Sequence, residues 1–470
     1  TVPFDTGIGV KGKKMANNRG KLGLLHSSTM IIGGMFGSAI FSLSGVTIMN
    51  AGPASILSWI IAGIILFFYG LLNAELSTVF PRSGGVFVFP AKTLGKTPEQ
   101  GRLWGWIASW GYLSGAWVGT SFAAVYVGSY LSQAFPALLY LRVPLALLAI
   151  FLCGFLNAFN ISVAGRVSAI LTGSLILTML VYVGVSFFGG AWDSSLLHPF
   201  FTQGKQGPFG FILSVPIAMV AYGSIVSAAF MVGEIKNPNK TIPRAMMIAM
   251  SVVMSLYFLI LLATLGLVSA DFLRSDPNMA MIPLYAAART KLMNLSWLPV
   301  LLSLAATIAL LSNMMVLTAL AARVVQAAAI SGILPRILGE NNRKTGAPLR
   351  AVVLVTLCFS ALAAFPDVTL FAINLSAMCN AAVVSIICIT VIKARKKFPG
   401  QAAFNAPGGK ITPVIMMIVL LSCYVPQFFM GGWYIWVFTA SYMLCGVLIF
   451  FSSAKKRRKA ETESMDSLHE

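Results

Sequence analysis

Long runs of uncharged, mostly apolar residues alternate along the chain with short segments that carry nearly all the charges. The longest runs lie between Lys21 and Glu75, between Arg102 and Arg142, and between Lys410 and Lys455. A membrane-spanning helix needs about 20 apolar residues. A charged side chain at the bilayer centre costs roughly 2.5–3.5 kcal/mol on insertion scales. Divided at this length, the runs predict 12 membrane-spanning helices, and they lack the alternation of a membrane β-barrel.

The composition excludes a water-soluble protein. Hydrophobic residues make up 58% of the 470 residues and charged residues only 10%, whereas soluble domains carry about 25% charged residues. The same figures exclude a disordered chain and a secreted disulfide scaffold. We therefore predict an all-α polytopic membrane protein with lipid as its main solvent.

The distribution of positive charge predicts the orientation. With the N-terminus placed inside, 28 of the 33 Lys and Arg residues fall in internal segments, as the positive-inside rule requires. Both termini are therefore predicted to be cytoplasmic, in a multi-pass protein of the cell membrane. The net charge of +20 is spread over separate loops, which favours attraction to anionic lipid and argues against a nucleic-acid partner.

Two of the predicted spans are interrupted by small residues near their centres. Span 1 has three glycines and a serine within residues 33–38, and span 6 has Pro216 followed by Tyr-Gly-Ser at 222–224. Glycine weakens a helix interior by about 1 kcal/mol relative to alanine. Close packing of small residues is an alternative for span 1, since Gly33 and Gly37 have the GxxxG spacing. Interrupted helices five spans apart indicate a transporter binding site between two halves.

The chemistry of such breaks favours a zwitterionic ligand. Unwound backbone leaves N–H and C=O groups that lipid cannot satisfy. The N-terminal end of a half-helix suits a carboxylate, and the C-terminal end of another suits an ammonium group. A site with both ends fits an α-amino acid and needs no buried charged side chain.

Four motifs resemble those of the amino acid–polyamine–organocation transporter superfamily. They are Gly-Ser-Ala-Ile-Phe at 37–41, the segment from Glu75 through Pro-Arg-Ser-Gly-Gly at 81–85, the segment Glu-Ile-Lys-Asn-Pro at 234–238 with its continuation to 245, and Ser-Gly-Ile-Leu-Pro at 331–335 preceded by Arg323. Ala39 and Gly233 depart from the family pattern, which has glycine and often glutamate at these places. The resemblance covers about residues 20–400.

The resemblance implies a LeuT-like fold of two inverted five-span repeats plus two extra helices. The expected segments are a cytoplasmic N-terminal segment at 1–21, the first repeat (spans 1–5) at 22–190, the second repeat (spans 6–10) at 205–392, spans 11 and 12 at 411–454, and a cytoplasmic tail at 455–470.

The resemblance also implies the substrate site. It places the substrate carboxylate on the backbone amides of Gly37, Ser38 and Ala39, with help from the Ser38 hydroxyl. It places the ammonium group on backbone carbonyls. The implied carbonyls are those of Met35 and Val220, with Ala221 or Gly223 as further candidates, and Ile225 is the implied pocket-lining or gating residue.

Glu75, Arg82 and Glu234 lie at predicted cytoplasmic helix ends. One interpretation is a cytoplasmic gate of ion pairs that break as the protein opens inward. The other is that these residues cap helix ends and anchor the topology. The sequence leaves both open.

The predicted function is secondary active transport of a neutral amino acid by alternating access, as an exchanger or a proton-coupled symporter. An acidic pocket residue, which polyamines and cationic amino acids require, is absent, as is a pocket arginine for an acidic substrate. Transport of polyamines or cationic amino acids stays an alternative. So does sodium-coupled symport, through carbonyls near Ile32 and Gly33 and oxygens of Thr307, Ser312 or Asn313.

Other classes of protein fit less well. The chain has only three histidines and no paired acid and base at membrane depth, so we predict no enzyme, catalytic residue, cofactor or metal site. A membrane-embedded enzyme and a transporter-like sensor are remote alternatives. A disulfide-linked heavy subunit is not expected, because the loop at about 133–142 lacks the cysteine that such a partner needs.

Overall fold

Apolar helices make up nearly all of the structure. The computed structural model describes residues 22–36, 39–159, 161–275, 277–280, 282–342, 344–430 and 433–454, so the predicted segments 1–21 and 455–470 lie outside it. Within these ranges extended pairing is limited to one isolated parallel β-bridge between Leu22 and Ile235. Helices satisfy their backbone polar groups internally, which is the condition for crossing lipid.

In chain order the helices are α1 (Leu24–Met35), α2 (Ser44–Ala51), α3 (Ser55–Val79), α4 (Gly85–Thr93), α5 (Pro98–Ala134), α6 (Arg142–Asn157), α7 (Ile161–Phe188), α8 (Gly210–Leu213), α9 (Val215–Met219), α10 (Ser227–Phe230), α11 (Pro238–Leu265), α12 (Ala270–Ser275), α13 (Pro277–Ala280), α14 (Pro283–Lys291), α15 (Trp297–Ile330), α16 (Leu349–Ala363), α17 (Pro366–Lys397), α18 (Ile411–Met430) and α19 (Trp433–Ser452).

Nine helical segments in the described ranges are long and apolar enough to cross a membrane. Further helices lie between these segments in the chain. They include the shorter apolar helices Leu349–Ala363 and Ile411–Cys423 and the 37-residue α5. The prediction of an all-helical polytopic membrane protein is confirmed at this level. The count of 12 spans and the inverted repeat stay predictions.

Both segments that the sequence predicts to be interrupted depart from the regular α-helix. α1 ends at Met35, where Phe36 leaves the helical conformation (φ −71°, ψ 42°). The chain resumes as a π-helical turn at Ala39–Leu43 before α2. In the second segment, the 3-10 helix Val220–Val226 separates α9 from α10. Span 6 is thus divided into short pieces, whereas its neighbour α11 runs unbroken for 28 residues.

Indole side chains attach the peripheral α19 to α5. The Nε1 atoms of Trp106 and Trp110 donate to the carbonyls of Gly446 (2.6 Å) and Tyr442 (2.8 Å). The rings of Trp110 and Tyr442 stack with centroids 4.9 Å apart. Each indole N–H therefore has a partner inside the protein, and α5 in turn packs along α15 and α17.

The short helices that connect α11 to α15 rest on α2. Gly45 of α2 lies against the backbone carbonyl of Ala280 in α13, so closely that an added Cβ would overlap it. Because the opposing atom is backbone, a side chain at position 45 would have to displace the connection as a whole.

We expect Gly45→Ala to lower the stability of the protein, since overpacking against a rigid neighbour costs about 1–3 kcal/mol. The matched control is Gly173→Ala in α7, where an added Cβ meets nothing within 4 Å. Thermal unfolding of the detergent-purified variants measures both. A Gly45→Ala variant that melts with the wild type would contradict the contact between α2 and α13.

Candidate functional site

The two interrupted segments meet at Gly34. A Cβ atom added there would lie 2.8 Å from Cβ of Ser224, in the 3-10 helix, and 3.2 Å from Cγ1 of Val316 in α15. Gly33 is equally confined, by the hydroxyls of Thr172 in α7 and Ser312 in α15. The glycines therefore allow the last turn of α1 to approach three neighbouring segments, while the helix ends immediately after them.

Neutral side chains satisfy the carbonyl groups at the end of α1. The hydroxyl of Tyr257 in α11 donates to the Met35 carbonyl at 2.6 Å, and Nδ2 of Asn313 in α15 donates to the Gly34 carbonyl. The helix end carries a partial negative charge, because its last carbonyls have no hydrogen-bond donor within the helix. A carbonyl oxygen has two lone pairs, so each of these two can accept one further hydrogen bond.

An aromatic cluster fixes the second break against the first. The Tyr222 hydroxyl donates to the Trp59 carbonyl at 3.1 Å. The Tyr257 ring lies 4.9 Å from Trp59, 5.0 Å from Phe36 and 5.3 Å from Tyr222, centroid to centroid. Edge-to-face rings at these separations attract each other, so α3 and α11 hold both breaks in place.

Ion pairs close one end of the helix bundle. Glu234 forms an ion pair with Arg323 of α15, and both side chains are nearly buried. Glu75 of α3 receives two parallel hydrogen bonds from Arg395 of α17, each 2.6 Å long. The backbone N–H of Ala406 adds a third bond to Glu75 at 2.8 Å.

Backbone contacts reinforce the same end. Leu22, just before α1, exchanges hydrogen bonds of 2.8 Å with the backbone of Glu234 and Lys236. Gly84 has a positive φ of 84° and lies so close to Ala327 that an added Cβ would stand 2.7 Å from its Cβ. The start of α1, the α3–α4 loop, the end of span 6 and α15 thus converge on one closed face.

The amino acid permease family model matches residues 22–451 of this sequence. The chain belongs to the amino acid permease family. Members of this family are transporters, which agrees with the multi-pass helical structure.

Three relatives show the range of proteins that this permease resembles. It is 27% identical over 354 residues to an uncharacterized transporter of Mycobacterium tuberculosis, covering 74% of this chain and 75% of the relative. It is 25% identical over 466 residues to the branched-chain amino acid permease BcaP of Bacillus subtilis, covering 93% and 94%. It is 26% identical over 364 residues to the vacuolar cationic amino acid transporter 2 of Arabidopsis thaliana, covering 73% and 55%.

The structure of the permease places the implied substrate residues as follows. Gly37 and Ser38 lie outside the described residues, between Phe36 and the π-helical turn that begins at the buried Ala39. Met35 is buried, and its carbonyl already has one donor in Tyr257. Their roles toward a substrate stay predictions.

In the second break, one face is open and the other is packed. Val220 is 62% exposed, and an added Cβ at Gly223 meets nothing within 4 Å. Ala221 and Ile225 are buried, and Ile225 packs so closely on Gly70 of α3 that a Cβ there would lie 2.6 Å from its Cγ1. Ile225 therefore holds the break against α3, while the open face at positions 220 and 223 leaves room beside the backbone.

Of the three predicted gate residues, the two carboxylates, Glu75 and Glu234, form ion pairs with arginine residues. Arg82 is exposed and forms no ion pair with a described residue. Arg395, the partner of Glu75, could not be identified from the sequence, because it lies in a run of basic residues that the topology alone accounts for. The available signal was the residue type, since arginine binds a carboxylate through two bonds and lysine does not.

We expect Tyr257→Phe to raise the KM for substrate and lower stability, because loss of a donor to a buried carbonyl costs about 1–3 kcal/mol. Tyr182→Phe is the matched control, since that hydroxyl is equally buried and is 2.9 Å from Oγ1 of Thr264. The control should lose stability and keep its KM. Uptake kinetics and thermal unfolding measure the two effects. An unchanged KM in Tyr257→Phe would show that Tyr257 does not contribute to the substrate site.

The gate interpretation predicts that Glu234→Arg and Arg323→Glu each reduce initial uptake about ten-fold or more, because each leaves like charges nearly buried together. The double variant should recover part of the rate by restoring the pair. The exposed pair Glu340–Arg350 is the control, and its reversal should leave uptake near the wild-type rate. A double variant no better than either single variant would favour simple capping.

Proposed function

We propose that the permease is a secondary active transporter that carries a neutral α-amino acid across the cell membrane by alternating access. The proposal includes the finer features expected from the sequence. These are two inverted five-span repeats at 22–190 and 205–392, two further spans, cytoplasmic termini, and independence from a disulfide-linked subunit.

The contact of the two breaks at Gly34 carries this proposal. It brings the C-terminal end of α1 beside the 3-10 helix at Val220–Val226, and the backbone carbonyls implied as ammonium ligands belong to these two segments. The side chains that contact the end of α1 in the described residues are neutral, Tyr257 and Asn313 among them. An ammonium group suits this end, and the backbone after the break suits a carboxylate.

The neutral surroundings support a substrate whose side chain carries no charge. A second ammonium or carboxylate group in the substrate would need a buried counter-charge. The names of two relatives in Bacillus subtilis, a branched-chain amino acid permease and a serine/threonine exchanger, agree with this choice. The name of the Arabidopsis relative keeps cationic amino acids as the alternative.

For coupling we propose exchange or proton symport, in which the ion pairs Glu234–Arg323 and Glu75–Arg395 open when the inner face opens. Sodium symport has one observation in its favour. The hydroxyl oxygens of Ser168 and Ser312 are buried beside Gly33 and form no hydrogen bond with the described residues. Thr307, by contrast, bonds within its own helix, to the Ser303 carbonyl.

Uptake into proteoliposomes tests the function. We expect saturable uptake of a neutral amino acid such as L-leucine or L-serine, accelerated by the unlabelled substrate inside or by an inward proton gradient. L-Lysine and putrescine should compete weakly, and replacing sodium with choline should leave the rate unchanged. Saturable uptake of lysine or putrescine without any of a neutral amino acid would reject the proposed substrate class. A strict sodium requirement would reject the proposed coupling.

A further inference from the structure

Asn313 has an amide oxygen that its known contact does not use. Its Nδ2 donates to the Gly34 carbonyl, and because a carbonyl can only accept, the NH2 group of the amide must face α1. The amide is planar, so Oδ1 faces away from Gly34 and keeps its capacity to accept hydrogen bonds. The contact with Gly34 therefore fixes which atom Asn313 presents on its free side.

The free side of Asn313 lies inside the bundle. Val316, one turn along α15, contacts the end of α1, where it stands 3.2 Å from an added Cβ at Gly34. Leu317, also one turn along, stands 3.3 Å from an added Cβ at Gly119 of α5. Asn313 thus occupies the sector of α15 between α1 and α5. It is only partly buried, whereas its neighbours Ser312 and Met314 are fully buried.

An acceptor at this place meets a need of the proposed substrate. An ammonium group has three donors, and the Met35 and Gly34 carbonyls each already accept one hydrogen bond, from Tyr257 and Asn313. The partial negative charge at the end of α1 attracts the ammonium group to the same region. A side-chain oxygen held in a fixed orientation there supplies a neutral acceptor without the cost of a buried carboxylate.

We propose that Oδ1 of Asn313 accepts a hydrogen bond from the ammonium group of the substrate, which makes Asn313 a substrate-binding residue. This inference rests on the proposed function, since it assumes that an α-amino acid binds where the two breaks meet. It assigns to one residue of α15 the recognition of the amino group.

The test removes the two partners separately, from the protein and from the ligand. The protein change is Asn313→Leu, which keeps the side-chain size. The ligand change replaces L-leucine with 4-methylpentanoate, or L-serine with 3-hydroxypropanoate if serine gives the faster uptake. Apparent dissociation constants come from thermal-shift titration of the purified full chain.

We expect Asn313→Leu to weaken binding of the amino acid about 10–100-fold, as loss of a hydrogen bond to a charged group does. It should change binding of the analogue less than about three-fold. A support role alone would weaken both ligands equally, and that result would overturn the inference.

Asn157→Leu is the matched control. Its Nδ2 likewise donates to a carbonyl of a neighbouring helix, that of Met315 in α15, at 3.1 Å, and we expect the substitution to affect both ligands alike. Asn313→Ser provides the same comparison if the leucine variant does not fold. Wild-type protein that takes up no amino acid would instead reject the proposed function, so the two failures are distinguishable.

Discussion

The structure depends on one constraint: a peptide group at membrane depth needs a hydrogen-bonding partner, because hydrocarbon supplies none. α1 nevertheless ends at Met35, inside a segment apolar enough to span the bilayer. The break is tolerated because α11 and α15 supply neutral donors, Tyr257 and Asn313, to the freed carbonyls. A lysine or arginine in their place would carry the cost of a buried charge. Neutral donors leave the negative end of the helix available to a positively charged ligand.

Two nearly buried ion pairs lie at the closed end of the bundle, where they serve a different purpose. A nearly buried ion pair gains little net stability, because desolvation offsets most of the attraction, whereas removing one partner is costly. The pairs Glu234–Arg323 and Glu75–Arg395 therefore specify one arrangement of these helices but add little to its stability. Such contacts suit the proposed transport cycle, in which this face opens and closes.

Much of the fold and part of the site could be predicted from the sequence, for physical reasons. Apolar run length predicts spans, and clustered small residues predict the breaks at the end of α1 and at Val220–Val226. Partners across the fold could not be predicted. Tyr257 lies in an apolar run like any other, and Arg395 lies among lysines that the topology explains. Which helix ends meet depends on packing, and the sequence pattern of one helix does not contain that information.

The glycines of α1 serve both the helix break and the close packing of this helix against its neighbours. Gly33 and Gly34 both lie against neighbours too near for a side chain, as small-residue packing requires, and the helix ends directly after them. Close approach is what brings Ser224 and Asn313 within reach of the broken end.

In the described residues the two interrupted segments are joined by this packing and by the backbone bridge at Leu22 and Ile235. Their contacts with α15 at the closed face include the separable ion pair of Arg323. In the proposed transport cycle, this ion pair has to separate while the packing of the two breaks at Gly34 stays intact.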